Sequence, residues 1–307
     1  MSINQLVTSR AVIGDIYHRL QIGDGSYVNR LAMPISSNQE VENYAWLGQV
    51  PKMREWIGGR QAKGLRESSW SVTNKDYEAT LEVLTKDLRR EKYGQLRIRI
   101  AELARRTLSH PASLMTTLII NGKSTACYDG SYFFHTAHSE GDSGSQDNDL
   151  TFACATGTTP TVPEMRDAIL NSIKAILGFK DDQGEPMNEG ARTFEVQVPL
   201  AIWPQAIAAV TLPVVDSGVA NLIPSLGEFT ITVIPNARLS DATEFYTFRT
   251  DGETKPFIKQ EEVPLQVSAI AEGSELEFKE KKHWYGVDWA GAMAYGFWQH
   301  GTLTTLT

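Results

Sequence analysis

The chain has 307 residues, enough for one large or two ordinary domains, and its 41% hydrophobic and 21% charged content is typical of a globular protein. This composition excludes a disordered or collagen-like chain. The formal net charge is −8, whereas a dedicated sequence-specific DNA-binding domain is usually basic. Two cysteines, Cys127 and Cys154, are too few for a secreted disulfide scaffold and predict free thiols in a reducing cytoplasm. The N-terminal residues lack a secretory-signal pattern, and no apolar run is long enough to span a membrane.

The first 43 residues mix polar positions with short apolar groups. They predict an irregular arm with one short helix, from about Val12 to Leu20. No internal repeat of 20–50 residues follows, which argues against a solenoid or a propeller.

The segment from Tyr44 to Asn74 has the pattern of a long hairpin. It holds three of the seven tryptophans around a turn signal at Gly58-Gly59. Arginines lie in the loop itself, at positions 54, 60 and 66, so the loop cannot be a buried element. Unpaired edges with exposed aromatic and arginine side chains predict that this hairpin contacts a partner surface.

A half-buried strand and a long helix are predicted next. Tyr77 to Leu84 alternates, with Tyr77, Ala79, Leu81 and Val83 on one face and polar residues on the other. An apolar stripe then predicts a helix from about Lys86 to Ser109. Because a residue before proline avoids helical angles, His110-Pro111 predicts a break. A second helix is expected from Pro111 to Ile120.

The remaining chain mixes helix and strand signals. Thr161 and Glu164 form a capping box that opens a helix ending near Gly178. Short strands are predicted around residues 194–198, 229–233, 243–248 and 257–259, with a helix from Trp203 to Val210 and an aromatic C-terminal segment from His283 to Trp298. Helices and strands do not alternate as βαβ units, so the predicted fold class is α+β.

A metal site can be considered at Cys127, His135, His138 and Cys154, whose residue types suit zinc. Only the two histidines are close in sequence, and structural zinc sites favour paired ligands, so turn and strand residues are the favoured interpretation. No phosphate-binding, metalloprotease or nucleophile-elbow motif occurs. We therefore predict no catalytic residues, no cofactor and no metal.

A basic segment lies in the predicted long helix between Lys86 and Arg106. It carries eight Lys and Arg against three acidic residues. It could contact a polyanion, but the chain's negative charge favours a solvated helix face with ion pairs.

Three blocks of residues resemble the Mu-like phage major head subunit family. The first is the run YAWLGQVPKMREWIGGR from Tyr44 to Arg60, and the second is NKDYEAT from Asn74 to Thr80. The third is CYDGSYFF from Cys127 to Phe134, followed by His138. The blocks stand in the family's order, and the resemblance is weaker beyond Asp149.

The resemblance implies the Hong-Kong-97-type phage major capsid fold. In that arrangement residues 1–43 would be the N-terminal arm, 44–76 the E-loop hairpin, 77–148 a P-domain with the spine helix, 149–275 an A-domain, and 276–307 a C-terminal return to the P-domain. We expect two functional surfaces. The subunit-interface residues of the E-loop would be Trp46, Met53, Arg54, Trp56, Arg60 and Trp70, and the basic face of the spine helix would be Arg89, Arg90, Arg97 and Arg105.

The implied function is that of a major capsid protein, which self-assembles as pentamers and hexamers into an icosahedral shell around packaged double-stranded DNA. Implied partners are further copies of the chain, a scaffold or protease, a portal and other head proteins, with DNA contacted non-specifically and no membrane. The expected location is the virion, after assembly in the bacterial host cytoplasm. Two alternatives stay open: an encapsulin-like compartment shell, and a zinc hydrolase using the Cys/His cluster.

Overall fold

The computed structural model describes residues 9–21, 27–44, 47, 70–89, 93–215, 219–221, 223–225 and 227–307. In chain order the helices are α1 (Ser9–Gln21), α2 (Val28–Leu31), α3 (Thr85–Arg89), α4 (Tyr93–Asn121), α5 (Val162–Gly178), α6 (Trp203–Thr211) and α7 (Glu275–Glu280). The strands are β1 (Ala32–Ser36), β2 (Val41–Asn43), β3 (Ser71–Thr73), β4 (Lys75–Leu84), β5 (Asp149–Phe152), β6 (Thr193–Val198), β7 (Val214–Val215), β8 (Val219–Ala220), β9 (Thr230–Pro235), β10 (Glu244–Arg249), β11 (Phe257–Ile270), β12 (Lys282–Tyr295) and β13 (Gly301–Leu306). Within these residues, no helix is both long and apolar enough to cross a membrane. The predicted α+β class is confirmed.

Sheet 1 has the strand order β1-β11-β12-β4 in the described residues. The β1–β11 pair is parallel, and the other two pairs are antiparallel. The predicted alternation in β4 is confirmed, because Leu81 and Val83 are buried while Glu78, Thr80 and Glu82 are exposed. The buried face packs against α1 and the first half of α4.

Sheet 2 has the order β5-β13-β10-β6-β9 among the described strands, and helices α5 and α6 pack on it. The capping box that opens α5 is present as predicted, with Thr161 as N-cap. On the predicted strand β6, polar residues are buried together with the apolar ones. Glu195 and Gln197 are almost fully buried. Their polar groups are satisfied there, because Gln197 Nε2 donates to Glu195 and Arg30 Nε donates to Glu195 at 2.7 Å.

Helix α4 is continuous through Pro111, so the predicted break at His110-Pro111 is wrong. The reason is tertiary. Leu96 and Ile100 belong to the core of sheet 1, and Met115 and Ile119 belong to the core of sheet 2. Packing at both ends outweighs the one backbone hydrogen bond that proline cannot donate. The predicted start near Lys86 stays a prediction, because residues 90–92 lie outside the described part.

The C-terminal segment contributes to both sheets. Strand β12 lies in sheet 1, where it pairs with β4 and β11, whereas β13 pairs with β10 and β5 in sheet 2. The segment 276–307 therefore does not stay within one sheet. The domain boundaries as a whole remain a prediction.

Candidate subunit interface

The two ends of the predicted hairpin are brought together by backbone pairing. Strands β2 and β3 are antiparallel, with Val41 opposite Thr73, and the N–H of Tyr44 donates to the carbonyl of Trp70 at 2.8 Å. Residues 45–46 and 48–69 lie outside the described residues. The described part thus shows a paired base from which the segment 45–69 departs and to which it returns.

A buried polar network fixes this base to sheet 1. Tyr44 donates from its hydroxyl to Oε1 of Gln260 on β11 at 2.6 Å, and Gln260 Nε2 donates to Oδ1 of Asn74 at 2.7 Å. Asn74 Nδ2 in turn donates to Ser37 Oγ and to the carbonyl of Gln39. Gln260 is fully buried, and a buried amide is costly unless its hydrogen bonds are satisfied. The network therefore favours one position of the hairpin base.

The Tyr44 hydroxyl stays protonated at every physiological pH. Burial, together with the negative charge of Glu42, raises the pKa of Tyr44 to about 12. The hydroxyl is consequently a permanent donor to Gln260, and the link does not switch with pH.

The predicted interface residues are placed only in part. Trp70 is half-buried at the hairpin base, where it packs against both the sheet 2 core and a smaller cluster containing Tyr44. Its indole Nε1 is buried and has no hydrogen-bond partner among the described residues. The other five predicted interface residues lie outside the described part: Trp46, Met53, Arg54, Trp56 and Arg60.

The predicted basic face is also partly placed. Arg97 and Arg105 are exposed on α4, but each lies beside a carboxylate. Arg97 Nε is 3.7 Å from Oδ2 of Asp15 on α1, and Arg105 bonds both oxygens of Glu102. Arg89 ends α3 with its side chain outside the described part, and Arg90 lies wholly outside it. On the described residues the basic face is therefore partly neutralised by ion pairs.

The Cys/His residues considered for zinc have other partners. Cys127 donates to Oδ1 of Asp129 at 3.0 Å, and His138 Nδ1 lies 2.6 Å from Oδ2 of the same carboxylate. The His138 ring stacks on Trp298 at 3.9 Å between ring centroids. The backbone N–H of Cys154 donates to the carbonyl of Thr307, just after the last strand of sheet 2, at 2.7 Å. In the described part of the chain, no group of three or more His, Cys, Asp or Glu residues is arranged to hold a metal ion.

The protonation states of Cys127 and Asp129 favour a structural role for the Cys127–Asp129–His138 cluster over a catalytic one. Burial, with the neighbouring Asp129 charge, raises the pKa of the Cys127 thiol well above its ordinary value, so the nucleophilic thiolate is disfavoured. Burial alone would raise the pKa of Asp129, but hydrogen bonds from His138 and Cys127 hold it below its usual value. The cluster joins the loop after α4 to Trp298 near the chain's end.

The sequence analysis predicted neither the Tyr44–Gln260–Asn74 network nor the Cys127–Asp129–His138 cluster. Asp129 and His138 stand within or just after the third family block, but nothing local indicates Trp298 as their neighbour. Gln260 and Asn74 are ordinary polar residues in sequence, and only the pairing of distant strands makes them partners.

The sequence pattern of the Mu-like prophage major head subunit gpT family matches residues 13–161 and 224–305. The chain belongs to that family. The matched segments include the hairpin base, α4 and all strands of sheet 1. Helices α5 and α6 and strand β6 lie in the interval that the pattern does not match.

Two curated relatives align with part of the chain. The Mu-like prophage FluMu major head subunit of Haemophilus influenzae is 34% identical over 116 residues, which is 38% of this chain and 38% of the relative. The major capsid protein of Escherichia phage Mu is 30% identical over 113 residues, which is 37% of each. The aligned segment thus spans less than two fifths of either relative.

A solved structure shows the fold. A chain from the procapsid of bacteriophage JBD30 superposes with a TM-score of 0.55 over 97% of this chain and 74% of that chain, at 23% identity. The phage capsid fold expected from the resemblance is confirmed.

Proposed function

We propose that this chain is a major capsid protein that assembles with copies of itself into the closed icosahedral shell of a Mu-like tailed phage. The observation that carries the proposal is the family match, which includes the hairpin base, the long helix and all of sheet 1. The phage capsid fold supports it independently of sequence.

The subunit has the features that a shell component needs. Helix α4 contributes side chains to the cores of both sheets, so it couples the two halves of the subunit mechanically. The hairpin base is anchored through Gln260, so the two ends of the segment 45–69 are held at one place on sheet 1. A subunit of this kind can keep one core while its contacts differ between pentamers and hexamers.

The hairpin is proposed to contact a neighbouring copy. Its contact residues would be Trp46, Met53, Arg54, Trp56, Arg60 and Trp70. Tryptophan and arginine are enriched among the few residues that dominate binding energy at interfaces. The indole N–H of Trp70 has no partner among the described residues, and this supports the assignment, because a buried donor is costly unless an acceptor is supplied.

The further partners follow from the same role. A scaffold or protease, a portal and other head proteins would guide assembly in the host cytoplasm, and the finished shell would be part of the virion. The packaged DNA would be held as a polyanion without base readout, since the chain carries a net charge of −8 and Arg97 and Arg105 lie beside carboxylates. The proposed role is structural and requires no catalysis or cofactor.

Neither alternative has an observation in its favour. The family match favours a phage head subunit over an encapsulin-like compartment. A zinc hydrolase is disfavoured because Asp129 engages both Cys127 and His138, and because burial keeps the thiol protonated.

Gradient sedimentation of the chain, expressed with the scaffold protein of its own gene cluster, tests the proposal. We expect fast-sedimenting particles of megadalton mass that contain this chain as their main component. A chain that stays monomeric with and without the scaffold would overturn the proposal.

A further inference from the structure

Helices α1 and α4 lie side by side on sheet 1. Val12 of α1 shares the core of this sheet with Leu96 and Ile100 of α4, and all three side chains are buried. Arg97 Nε on α4 lies 3.7 Å from Oδ2 of Asp15 on α1, an ion pair that joins the two helices. The sides of α1 and of the first half of α4 that face away from the core therefore form one surface, here called the two-helix surface.

The two-helix surface is basic although the chain is acidic. The two helices contain six arginines against two carboxylates, a formal +4, whereas the whole chain carries −8. Neither helix contains a lysine. The arginines stand at positions 10, 19, 97, 99, 105 and 106, and all except Arg19 are exposed. Helix α1 thus adds two arginines to those of α4, and the sequence alone does not place them together.

Ion pairs within this surface leave a surplus of positive charge. Each of the two carboxylates is shared by two arginines: Asp15 lies beside Arg19 and Arg97, and Glu102 lies beside Arg105 and Arg106. Arg10 and Arg99 have no ion-pair partner among the described residues. Arg99 has only a minor effect on Glu82, whose pKa is lowered chiefly by its hydrogen bond with Lys282. The surface therefore stays basic after its internal pairs are counted.

Several guanidinium N–H groups on this surface remain available to a ligand. Arg106 donates to Glu102 through Nε alone, at 2.8 Å, so neither of its terminal nitrogens has a partner in the described part of the chain. Its side chain is 78% exposed. Arginine presents a planar fork of donors that matches two oxygens of a phosphate, whereas lysine acts as a point charge. An arginine-only surface with free N–H groups is therefore suited to phosphate oxygens.

The other face of sheet 1 has less to offer a polyanion. Glu78 and Glu82 are exposed on the side of β4 that points away from the helices. Asp288 on β12 stands directly opposite Glu78. Lys282 is the basic neighbour of Glu82, at 3.2 Å. Of the two sides of this layer, the helix side is thus the one that a polyanion can approach with less repulsion.

We infer that the two-helix surface binds the phosphate backbone of the packaged double-stranded DNA without reading its sequence. Duplex DNA carries one negative charge per about 1.7 Å of its axis. Subunits with a charge of −8 repel it overall, so a contact requires a side that carries surplus positive charge. This inference rests on the proposed function and names the surface of the subunit that faces the DNA. The competing occupant is an acidic surface of a second copy.

DNA binding by the unassembled full-length chain tests the inference. Fluorescence anisotropy measures its affinity for two short labelled duplexes of unrelated sequence, over a series of salt concentrations. The test variant combines Arg99→Gln, Arg105→Gln and Arg106→Gln. The control combines Lys174→Gln, Lys180→Gln and Arg238→Gln, three exposed positions outside the two helices. Both variants lower the net charge by three, so a difference between them reports position and not total charge.

We expect the wild type to bind both duplexes equally at low salt. The test variant should lose at least tenfold in affinity, and its slope of log affinity against log salt should be shallower by about 2–3, since each lost phosphate contact removes about 0.9. The control should change affinity less than twofold. Equal losses in the two variants, or a wild type that does not bind DNA, would overturn the inference. The single variant Arg106→Gln, with a slope shallower by about 1, decides the matter should the triple variant not fold.

Particle yield with the scaffold separates DNA from a second copy as the occupant. The test variant should sediment as particles in wild-type yield while its affinity for DNA is reduced. Lost particles with unchanged DNA affinity would assign the surface to a contact between copies, which overturns the inference and leaves the shell function intact. A wild type that forms no particles is a failure of the proposed function, and it is recognised separately because DNA binding is measured on the unassembled chain.

Discussion

The hydroxyl of Tyr44 donates a 2.6 Å hydrogen bond to Oε1 of Gln260, a fully buried amide 216 positions further along the chain. The bond joins the first residue of the hairpin to β11 in sheet 1. Because the same amide also bonds Asn74 at the other end of the hairpin, one side chain holds both ends. Both ends of the hairpin are thus bonded to sheet 1 through the same buried glutamine.

Removing the Gln260 amide should loosen the hairpin base. Gln260→Leu keeps most of the side-chain volume but leaves the Tyr44 hydroxyl and Asn74 Oδ1 without this partner. We expect the free energy of unfolding to fall by about 1–3 kcal/mol, because buried polar groups lose their hydrogen bonds. Hydrogen exchange at the amides of β2 and β3 should accelerate at the same time.

The control for this variant is Gln266→Leu, an exposed glutamine on the same strand. It should change the free energy of unfolding by no more than about 0.5 kcal/mol. Equal destabilisation by the two substitutions would show that the Gln260 network does not hold the hairpin.

Truncating Trp56 should impair assembly far more than folding. At an interface hot spot, Trp56→Ala should cost about 2 kcal/mol per contact, and a shell multiplies that loss over many contacts. Particle yield on a gradient should drop sharply while the thermal melt of the soluble subunit is unchanged. Trp298→Ala, which empties a fully buried position, is the benchmark for a folding defect. A Trp56→Ala melt that resembles the Trp298→Ala melt would place this ring inside its own subunit.

Acid should destabilise the subunit through His300. Burial lowers the pKa of this histidine to about 3, from an ordinary value near 6.5. Between these values the unfolded chain binds a proton that the folded chain does not, so stability is complete above about pH 6.5 and falls as the pH drops towards 3. Urea unfolding at pH 7, 6 and 5 should show a loss of up to about 1.4 kcal/mol per pH unit from this group.

His300→Gln should flatten that pH dependence. The exposed His18 provides the control, since His18→Gln should leave the slope as in the wild type. Identical slopes for the wild type and His300→Gln would contradict the assignment of acid sensitivity to His300.

Removing the cap of α5 should cost stability without affecting the hairpin. Thr161 Oγ1 accepts from the Glu164 N–H, and Thr161→Ala should lower the free energy of unfolding by about 1 kcal/mol. Thr158→Ala, at an exposed position just before the helix, should be nearly neutral. Urea titration of both variants measures the difference, and a cap variant as stable as its control would argue against the capping box.

Local signals in the sequence predicted local structure well. The capping box at Thr161 and the alternation along β4 correspond to the observed helix and strand, because hydrogen bonds and burial within a few residues decide them. The break at Pro111 was predicted from a local rule and was wrong. Packing of α4 against two separate cores overrides the preference of the residue before proline, and this packing is not visible within a sequence window.

The candidate site was predictable in part from the residues themselves, and its place in a capsid subunit was predictable only through the resemblance. The hairpin was recognisable from its tryptophans and glycines, and the pairing of β2 with β3 agrees with that prediction at its base. The anchor at Gln260 was not recognisable, because its partners Tyr44 and Asn74 are more than 180 residues away in the chain. The aromatic contacts among Tyr77, His110 and Trp289 also depend on distant elements, since these rings meet only after sheet 1 and α4 have packed.

Electron cryo-microscopy of the fast-sedimenting fraction tests the central claim most directly. A reconstruction should show a closed shell of this chain, with density for residues 45–69 running from the Tyr44–Trp70 base onto a neighbouring subunit. A shell in which this segment folds back onto its own subunit would contradict the proposed interface. Failure of the chain to form any closed shell, with its scaffold present, would contradict the account as a whole.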